Sequence, residues 1–569
     1  MRTRMVVAAV VAMVAGGALA AIPASASSSE AQVKEYVVLY DADASGAEAR
    51  TEIADLGGTV VDEIGAIGLA KVRTDNADFE SDVLDSAVLA GAAPNKIIGY
   101  AEPALREKVD DVEGMIEAGG ASDVGAAAVD DEPLANLQWD MQMIHATGSE
   151  SYAVDTGDPD VLVGIIDTGI DASHPDLASN FDNVLSRNFT VDDPLIDGAC
   201  ASDPDGLCTD PPNVDEAGHG THVSGTVAAA LNGIGIAGIA PDVSLVNLRA
   251  GQDSGFFFLF PTLQAYVYAA NNGIDVVNMS YFTDPWWANC RDNPLDTPVQ
   301  QQEQSTIIDA SNLALNYAWN HGVTLIAAEG NEHTDLGNPT YDAISPDYPP
   351  NTAKVRNNIT NDCLVIPTEG DHVISVSALG KSGRKSYYSN YGLEQTVVSA
   401  PGGDRLDPNG GLPVNAAGLR TLSTYPRSVA ETGGLLTAGC VPTTPLVVVD
   451  TSGGGCAVYA YLQGTSMASP HAVGVAALII SANGTGSGAS FGMSPSKVEK
   501  LLTKTATRTD AFFAAMGKDW RDFCPEPPTL FTYGLVDPNV PFDALCEGNH
   551  QFNGFYGNGV VNALAAANS

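Results

Sequence analysis

Apolar residues run without a break through Val161-Leu-Val-Gly-Ile-Ile166. They do so almost unbroken through Val323-Thr-Leu-Ile-Ala-Ala328. Runs this short, with no polar face, fit strands buried on both sides of a parallel sheet. Val246-Asn-Leu248, Ile274-Asp-Val-Val277 and Val373-Ile-Ser-Val376 extend the set. Between them, Leu263 to Asn271 and Ile307 to Asn320 read as helices. Strands alternating with helices predict an α/β fold, with a mostly parallel sheet and helices on both faces.

The first part of the chain has a different texture. Lys34-Glu-Tyr-Val-Val-Leu-Tyr40 reads as a strand, and Leu56-Gly-Gly-Thr-Val-Val61 as a glycine break leading into another. Leu69-Ala-Lys-Val72 and Ile97-Ile-Gly-Tyr100 are two more. Residues 27–106 therefore form a small α+β unit, which contains no cysteine. From Glu107 to Glu132 the chain turns acidic and rich in glycine and alanine, so 107–133 reads as a linker to a main domain over 134–569. Before the small unit, Arg2 and Arg4 precede an apolar stretch from Met5 to Ala21, and Ala24-Ser25-Ala26 suits a cleavage site. Residues 1–26 thus resemble a secretory signal, which predicts a secreted, extracellular protein. That stretch is short and small-sided for a membrane span. No later segment reads as one, and no membrane association is expected after signal removal.

Charge narrows the partners. Lys and Arg number 26 against 70 Asp and Glu, a net charge of −44. Such a surface repels nucleic acid and anionic membranes. The eight cysteines, all at or beyond Cys200, lack any Cys-x-x-Cys pair, so disulfides are expected rather than zinc.

Three segments carry candidate chemistry. Asp167-Thr168-Gly169 follows the first buried strand, at the sheet edge where α/β folds build sites. His219-Gly220-Thr221-His222-Val223 opens an apolar helix running to about Leu231. Gly464-Thr465-Ser466-Met467-Ala468-Ser469-Pro470 opens another, running to about Ile480. A serine hydroxyl needs an imidazole to take its proton, and the imidazole needs a buried carboxylate to orient it. A serine at a helix N-terminus also sits where developing negative charge is favoured. Each motif alone has a plainer meaning. Asp-Thr-Gly occurs in aspartic proteases, but its second copy at Asp155-Thr156-Gly157 lies too near to be a second lobe. His219 and His222 could hold a metal, but no Glu completes a zincin pattern. Ser466 could cap a helix, and Asn331, which follows the strand-like run Val323 to Ala328, could turn the chain.

Together the segments resemble the subtilisin-like serine proteases. Asp167-Thr-Gly-Ile-Asp-Ala-Ser-His-Pro-Asp176, His219-Gly-Thr-His-Val-Ser-Gly-Thr226 and Gly464-Thr-Ser-Met-Ala-Ser-Pro-His471 stand in that family's order. Ala327-Ala-Glu-Gly-Asn331 is similar to its oxyanion segment, and Tyr556-Gly-Asn-Gly-Val-Val-Asn-Ala563 to its closing segment. The resemblance spans about Leu134 to Ala567. It implies Asp167, His219 and Ser466 as a triad and Asn331 as oxyanion donor, with His222, Asp171 and Ser469 structural. It implies no cofactor for the chemistry, protein or peptide substrates, and a monomer. The small N-terminal unit looks like the family's propeptide, an intramolecular inhibitor of a zymogen that processes itself.

The resemblance also locates substrate contacts and departures. Ser280-Tyr281-Phe282-Thr283 stands where the family often has Ser-Leu-Gly-Gly. Ala328-Glu329-Gly330 would form the primary pocket's opposite wall, with Glu332 near its base. An aromatic residue in place of glycine argues against a broad pocket. Asp176 matches an acidic calcium ligand, although the loop Leu231-Asn-Gly-Ile-Gly-Ile236 is one residue shorter than the usual calcium loop. Structural calcium is compatible with the resemblance, there or elsewhere among the acids. The cysteines bracket insertions relative to shorter family members. This suggests the pairs Cys200–Cys208, Cys290–Cys363, Cys440–Cys456 and Cys524–Cys546. Two rival readings remain: a processing peptidase of narrow specificity, and a catalytically inactive binding protein.

Overall fold

The computed structural model describes residues 33–100, 132–200, 206–281, 285–346, 353–532 and 543–569. The expected signal segment, the linker as far as residue 131, and Phe282 and Thr283 lie outside them.

A seven-stranded sheet forms the centre of the main domain. Its order is Val398–Pro401, Val373–Leu379, Thr324–Ala328, Val276–Met279, Leu162–Ile166, Ser244–Arg249 and Arg187–Asn188. Every pairing between these strands is parallel. The apolar runs are explained by a core on each face, because successive side chains of a strand point to opposite sides. Val163, Ile165, Val276 and Ile326 join the helices His219–Ala228 and Thr465–Asn483 on one face. Ile166, Val277, Leu325 and Ala327 join Leu259–Asn271 and Pro298–Asn320 on the other. Thr465–Asn483 is long and apolar enough to cross a membrane by composition, but it is the buried core helix of this domain.

Most expected elements are present; three helices run longer than the apolar periodicity suggested, while the one opening at His219 ends at Ala228, short of Leu231. Pro298–Asn320 starts earlier because Thr297 and Gln300 form a reciprocal cap with proline in the first turn. The strand expected at Ile274 starts instead at Val276. Asp275 uses its carboxylate to accept the Leu162 N–H at 2.9 Å.

The N-terminal unit is a four-stranded antiparallel sheet in the order Gly58–Ile64, Leu69–Thr74, Lys34–Tyr40, Leu89–Pro94. It lies on the helices Leu259–Asn271 and Pro298–Asn320. Val37, Leu39, Ile64, Leu69 and Ala93 share a buried cluster with Leu259, Leu263, Ile307 and Ala314. Lys96 pairs with Glu303 at 3.1 Å, and the Asn95 side chain accepts the Phe260 N–H at 3.1 Å. Ile97–Tyr100 does not join this sheet. It adds as an antiparallel strand to Phe256–Phe258 of the main domain.

All four expected disulfides are present: Cys200–Cys208, Cys290–Cys363, Cys440–Cys456 and Cys524–Cys546.

Candidate active site

Three adjacent strands deliver the site. Ile166, Met279 and Ala327 stand side by side in register, so Asp167, Ser280 and the segment Ala328–Asn331 leave the same C-terminal edge. Asp167 is fully buried and His219 is 2% exposed. His219 Nδ1 lies 2.8 Å from Asp167 Oδ1 and 3.1 Å from Oδ2. A carboxylate there holds the proton on Nδ1 and leaves Nε2 as the basic atom.

Asp215, which the motifs did not single out, ties the two loops together. Its carboxylate accepts the Thr168 hydroxyl at 3.0 Å, the Gly218 N–H at 2.8 Å and the Thr221 N–H at 2.9 Å. The Thr168 hydroxyl oxygen accepts the Gly220 N–H at 3.1 Å. His222 turns away from the pair. Its Nε2 meets the Ala460 carbonyl at 3.0 Å, and burial pushes its imidazole down to about 3, so it stays neutral. Asp171 accepts Ser173 locally, and Ser469 donates to Asn278.

Ser466 is the second residue of Thr465–Asn483. Four residues on, Pro470 has no N–H to give the Ser466 carbonyl. The Ser280 hydroxyl supplies that missing donor at 2.9 Å, and the Asn278 amide in turn donates to Ser280 Oγ at 2.8 Å. The Ser466 hydroxyl donates to the Ser280 carbonyl at 3.3 Å, a long and easily exchanged bond. The proline of the motif thus couples the serine's helix to the strand end at Ser280.

Thr465 holds Asn331. The Asn331 Oδ1 accepts the Thr465 N–H at 2.9 Å and the Thr465 hydroxyl at 3.0 Å. Only the oxygen of a carboxamide accepts, so this pair of donors fixes the amide's orientation and leaves Nδ2 as its outward donor. Gly330 precedes it at φ 102°, a left-handed conformation that favours glycine. Its N–H donates to Thr465 Oγ1 at 3.0 Å.

The expected substrate-contact residues divide. Ser280 and Gly330 border the serine's helix as described. Tyr281 is 2% exposed and stacks on Phe257 with ring centroids 4.3 Å apart. Ala328 is buried. Glu329 presents only its backbone towards the loop. Its carboxyl is fully buried on the Thr396 hydroxyl at 2.7 Å, and burial pushes it well above the usual carboxylate range. The Glu332 carboxylate accepts from the Asn390 amide at 2.5 Å. Phe282 lies outside the described residues.

Asp176 does not sit in a calcium-like shell. Its carboxylate accepts the Tyr459 hydroxyl at 2.7 Å, the Ile236 N–H at 3.2 Å and the Asn232 amide at 3.3 Å. These are hydrogen donors, whereas calcium needs converging oxygen acceptors. The residues present do not fit the ion at this place.

A subtilase family model matches residues 158–559. Subtilisin DY of Bacillus licheniformis is 28% identical over 358 residues, 63% of this chain and 88% of that protein. Thermitase of Thermoactinomyces vulgaris is 27% identical over 379 residues, 66% of this chain and 91% of that protein. The solved epidermin leader peptide processing serine protease of Staphylococcus aureus has a similar fold, with a TM-score of 0.59 and 21% identity, covering 94% of this chain and 98% of that one.

Proposed function

For a chain that belongs to the subtilase family of serine endopeptidases, we propose that Asp167, His219 and Ser466 form the catalytic triad, with Asn331 as oxyanion donor. The observation that carries the reading is the buried His219–Asp167 pair, with Ser466 heading a buried helix and bonded to the carbonyl of Ser280, which follows the strand paired in register with the strand that ends before Asp167. Ser466 Oγ attacks the scissile carbonyl while its proton passes to His219 Nε2. The tetrahedral oxyanion is held by the Asn331 Nδ2 and the Ser466 N–H. The C–N bond then breaks, and His219 gives the proton to the leaving amine. Water repeats the sequence on the acyl-enzyme and releases the acid. The test is labelling by a fluorophosphonate, which should reach Ser466 in the wild type and not in Ser466→Ala. Ser466→Ala should lower kcat by several orders of magnitude, and adding His219→Ala should cost little more, as in subtilisin itself. Losses that multiply would overturn the triad.

We further propose a secreted zymogen, with residues 27–106 as its inhibitory propeptide. Support comes from the broad packing of this unit on two helices and from Ile97–Tyr100, which lies as an added strand on Phe256–Phe258 as a peptide would. Cutting falls in the segment 107–133, by the enzyme's own Ser466. On a denaturing gel, Ser466→Ala made in a protease-free host should remain uncut while the wild type is trimmed. Trimming of both at the same position would refute self-processing.

A narrower processing specificity has one observation in its favour. Within the proposed substrate edge, where the family often has leucine, the bulkier Tyr281 ring is buried and stacks on Phe257. Rapid, general digestion of casein would count against it.

A further inference from the structure

The loop that carries Asn331 is clamped by a residue far along the chain. Asn390 is fully buried. Its Nδ2 donates to the Glu329 carbonyl at 3.0 Å and to Glu332 Oε2 at 2.5 Å. Its Oδ1 accepts the Glu332 N–H at 3.1 Å and the Thr334 N–H at 2.8 Å. A carboxamide has two donor hydrogens and two acceptor sites, and here all are spent on a single loop. The backbone adds a fifth link, from the Asn390 N–H to the Gly330 carbonyl at 2.9 Å. The fit leaves no slack, because a Cβ on Gly330 would overlap Asn390 Nδ2.

We propose that Asn390 is a positioning residue for the oxyanion donor, fixing the backbone from Glu329 to Thr334 so that the Asn331 amide meets the developing charge without rearrangement. The inference rests on the reading of Asn331 given above. Two clamps of separate origin meet on that residue. Thr465 orients the Asn331 side chain, through bonds to Oδ1. Asn390 orients the peptide units on both sides of it. An oxyanion donor works by being in place before the charge appears. A displacement of about 1 Å in such a group costs about 100-fold in rate. Asn390 touches neither substrate nor Ser466 in this scheme. Its effect passes through the loop, and it should therefore be felt in kcat and hardly in KM.

The test uses the mature enzyme on a chromogenic peptide amide, with kcat expressed per site titrated to completion by a fluorophosphonate. Asn390→Ala should lower kcat about 10- to 100-fold and change KM by less than about threefold. In an Asn331→Ala background the same substitution should cost less than about threefold more, because the group it positions is already gone. Full kcat per titrated site, with only a lower Tm, would reduce Asn390 to a stabilising role and overturn the proposal. Equal losses in both backgrounds would also overturn it, since Asn390 would then act by another route. If Asn331→Ala alone leaves kcat intact, the oxyanion assignment fails first, and that result is distinct from either of the others. Should Asn390→Ala fail to fold, Asn390→Asp keeps the shape and the acceptor bonds while losing both donors. The same kcat-specific loss is then expected, and an unchanged kcat overturns the proposal.

Discussion

His219 reaches Asp167 because the residue after it has no side chain. A Cβ on Gly220 would strike the Gly169 carbonyl and lie 3.1 Å from the Asp167 Cβ. Backbone atoms cannot step aside as a side-chain tip can, so the helix start would have to move. Gly220→Ala should therefore cost about 1–3 kcal/mol of stability from overpacking. It should also lower kcat about 100-fold by displacing the imidazole. Denaturant melts and steady-state kinetics on the same preparation check both. Wild-type kcat would mean that the loops relax without disturbing the pair. Asn331→Ala belongs to the same scale. Its expected loss is about 100- to 1,000-fold in kcat with KM held, the range known for the corresponding donor in subtilisin. A loss confined to KM would remove Asn331 from the oxyanion role.

Among elements, the three strand ends at Asp167, Ser280 and Ala328 act as a rigid bench, and the helix Thr465–Asn483 is fitted to it. The loop after the helix His219–Ala228 is secured differently. The strand Ala457–Leu462 sends the Tyr459 hydroxyl to Asp176, alongside the Ile236 N–H. Tyr459→Phe removes one donor from a buried carboxylate, a change worth about 1–3 kcal/mol. The Tm should fall by about 1–3 °C for a domain of this length. Added calcium chloride should not restore it. Recovery of the lost Tm by calcium would show that the ion can take the phenol's place, against the fit described here.

At the scale of the whole molecule, the burial of carboxyls and the net charge act in the same direction. Burial pushes the carboxyls of Asp176, Asp275 and Glu369 up to about 7. Each binds its proton more tightly in the folded chain than in the unfolded one. Between about pH 4 and pH 7 these three carboxyls therefore hold more protons in the folded state, and their contribution to stability falls as pH rises through that window; the buried imidazoles of His174, His222 and His333, pushed down to about 4, 3 and 3, oppose them below about pH 6.5. Self-repulsion from a net charge of −44 also grows as the acids ionise. The Ser466→Ala protein, which cannot digest itself in the proposed mechanism, should melt higher at about pH 5.5 than at about pH 8. Activity should follow the opposite trend on the acid side, because in the proposed mechanism His219 must be unprotonated to accept the serine's proton. A Tm that rises from the lower to the higher pH would contradict this account.

The chain's own order of residues determined the strands, the three motif segments and the buried helices behind them, since periodicity and turn chemistry are local properties. Val163 and Ile166 declare a two-sided strand wherever they stand, and Asp167 follows that strand by one bond. What tertiary structure decided is which atoms meet. Asp176 and Tyr459 are 283 positions apart, Asn331 and Thr465 are 134, and Asn390 and Glu332 are 58. Asp215 and Asn390 carry no periodic signal, because an isolated buried polar residue is recognisable only by its partners. The same holds for Glu329, which sits in the expected pocket segment yet turns its carboxyl into the core. A buried hydrogen bond depends on the distance between side chains, and in a parallel sheet that distance is set by strand order, which no local pattern encodes.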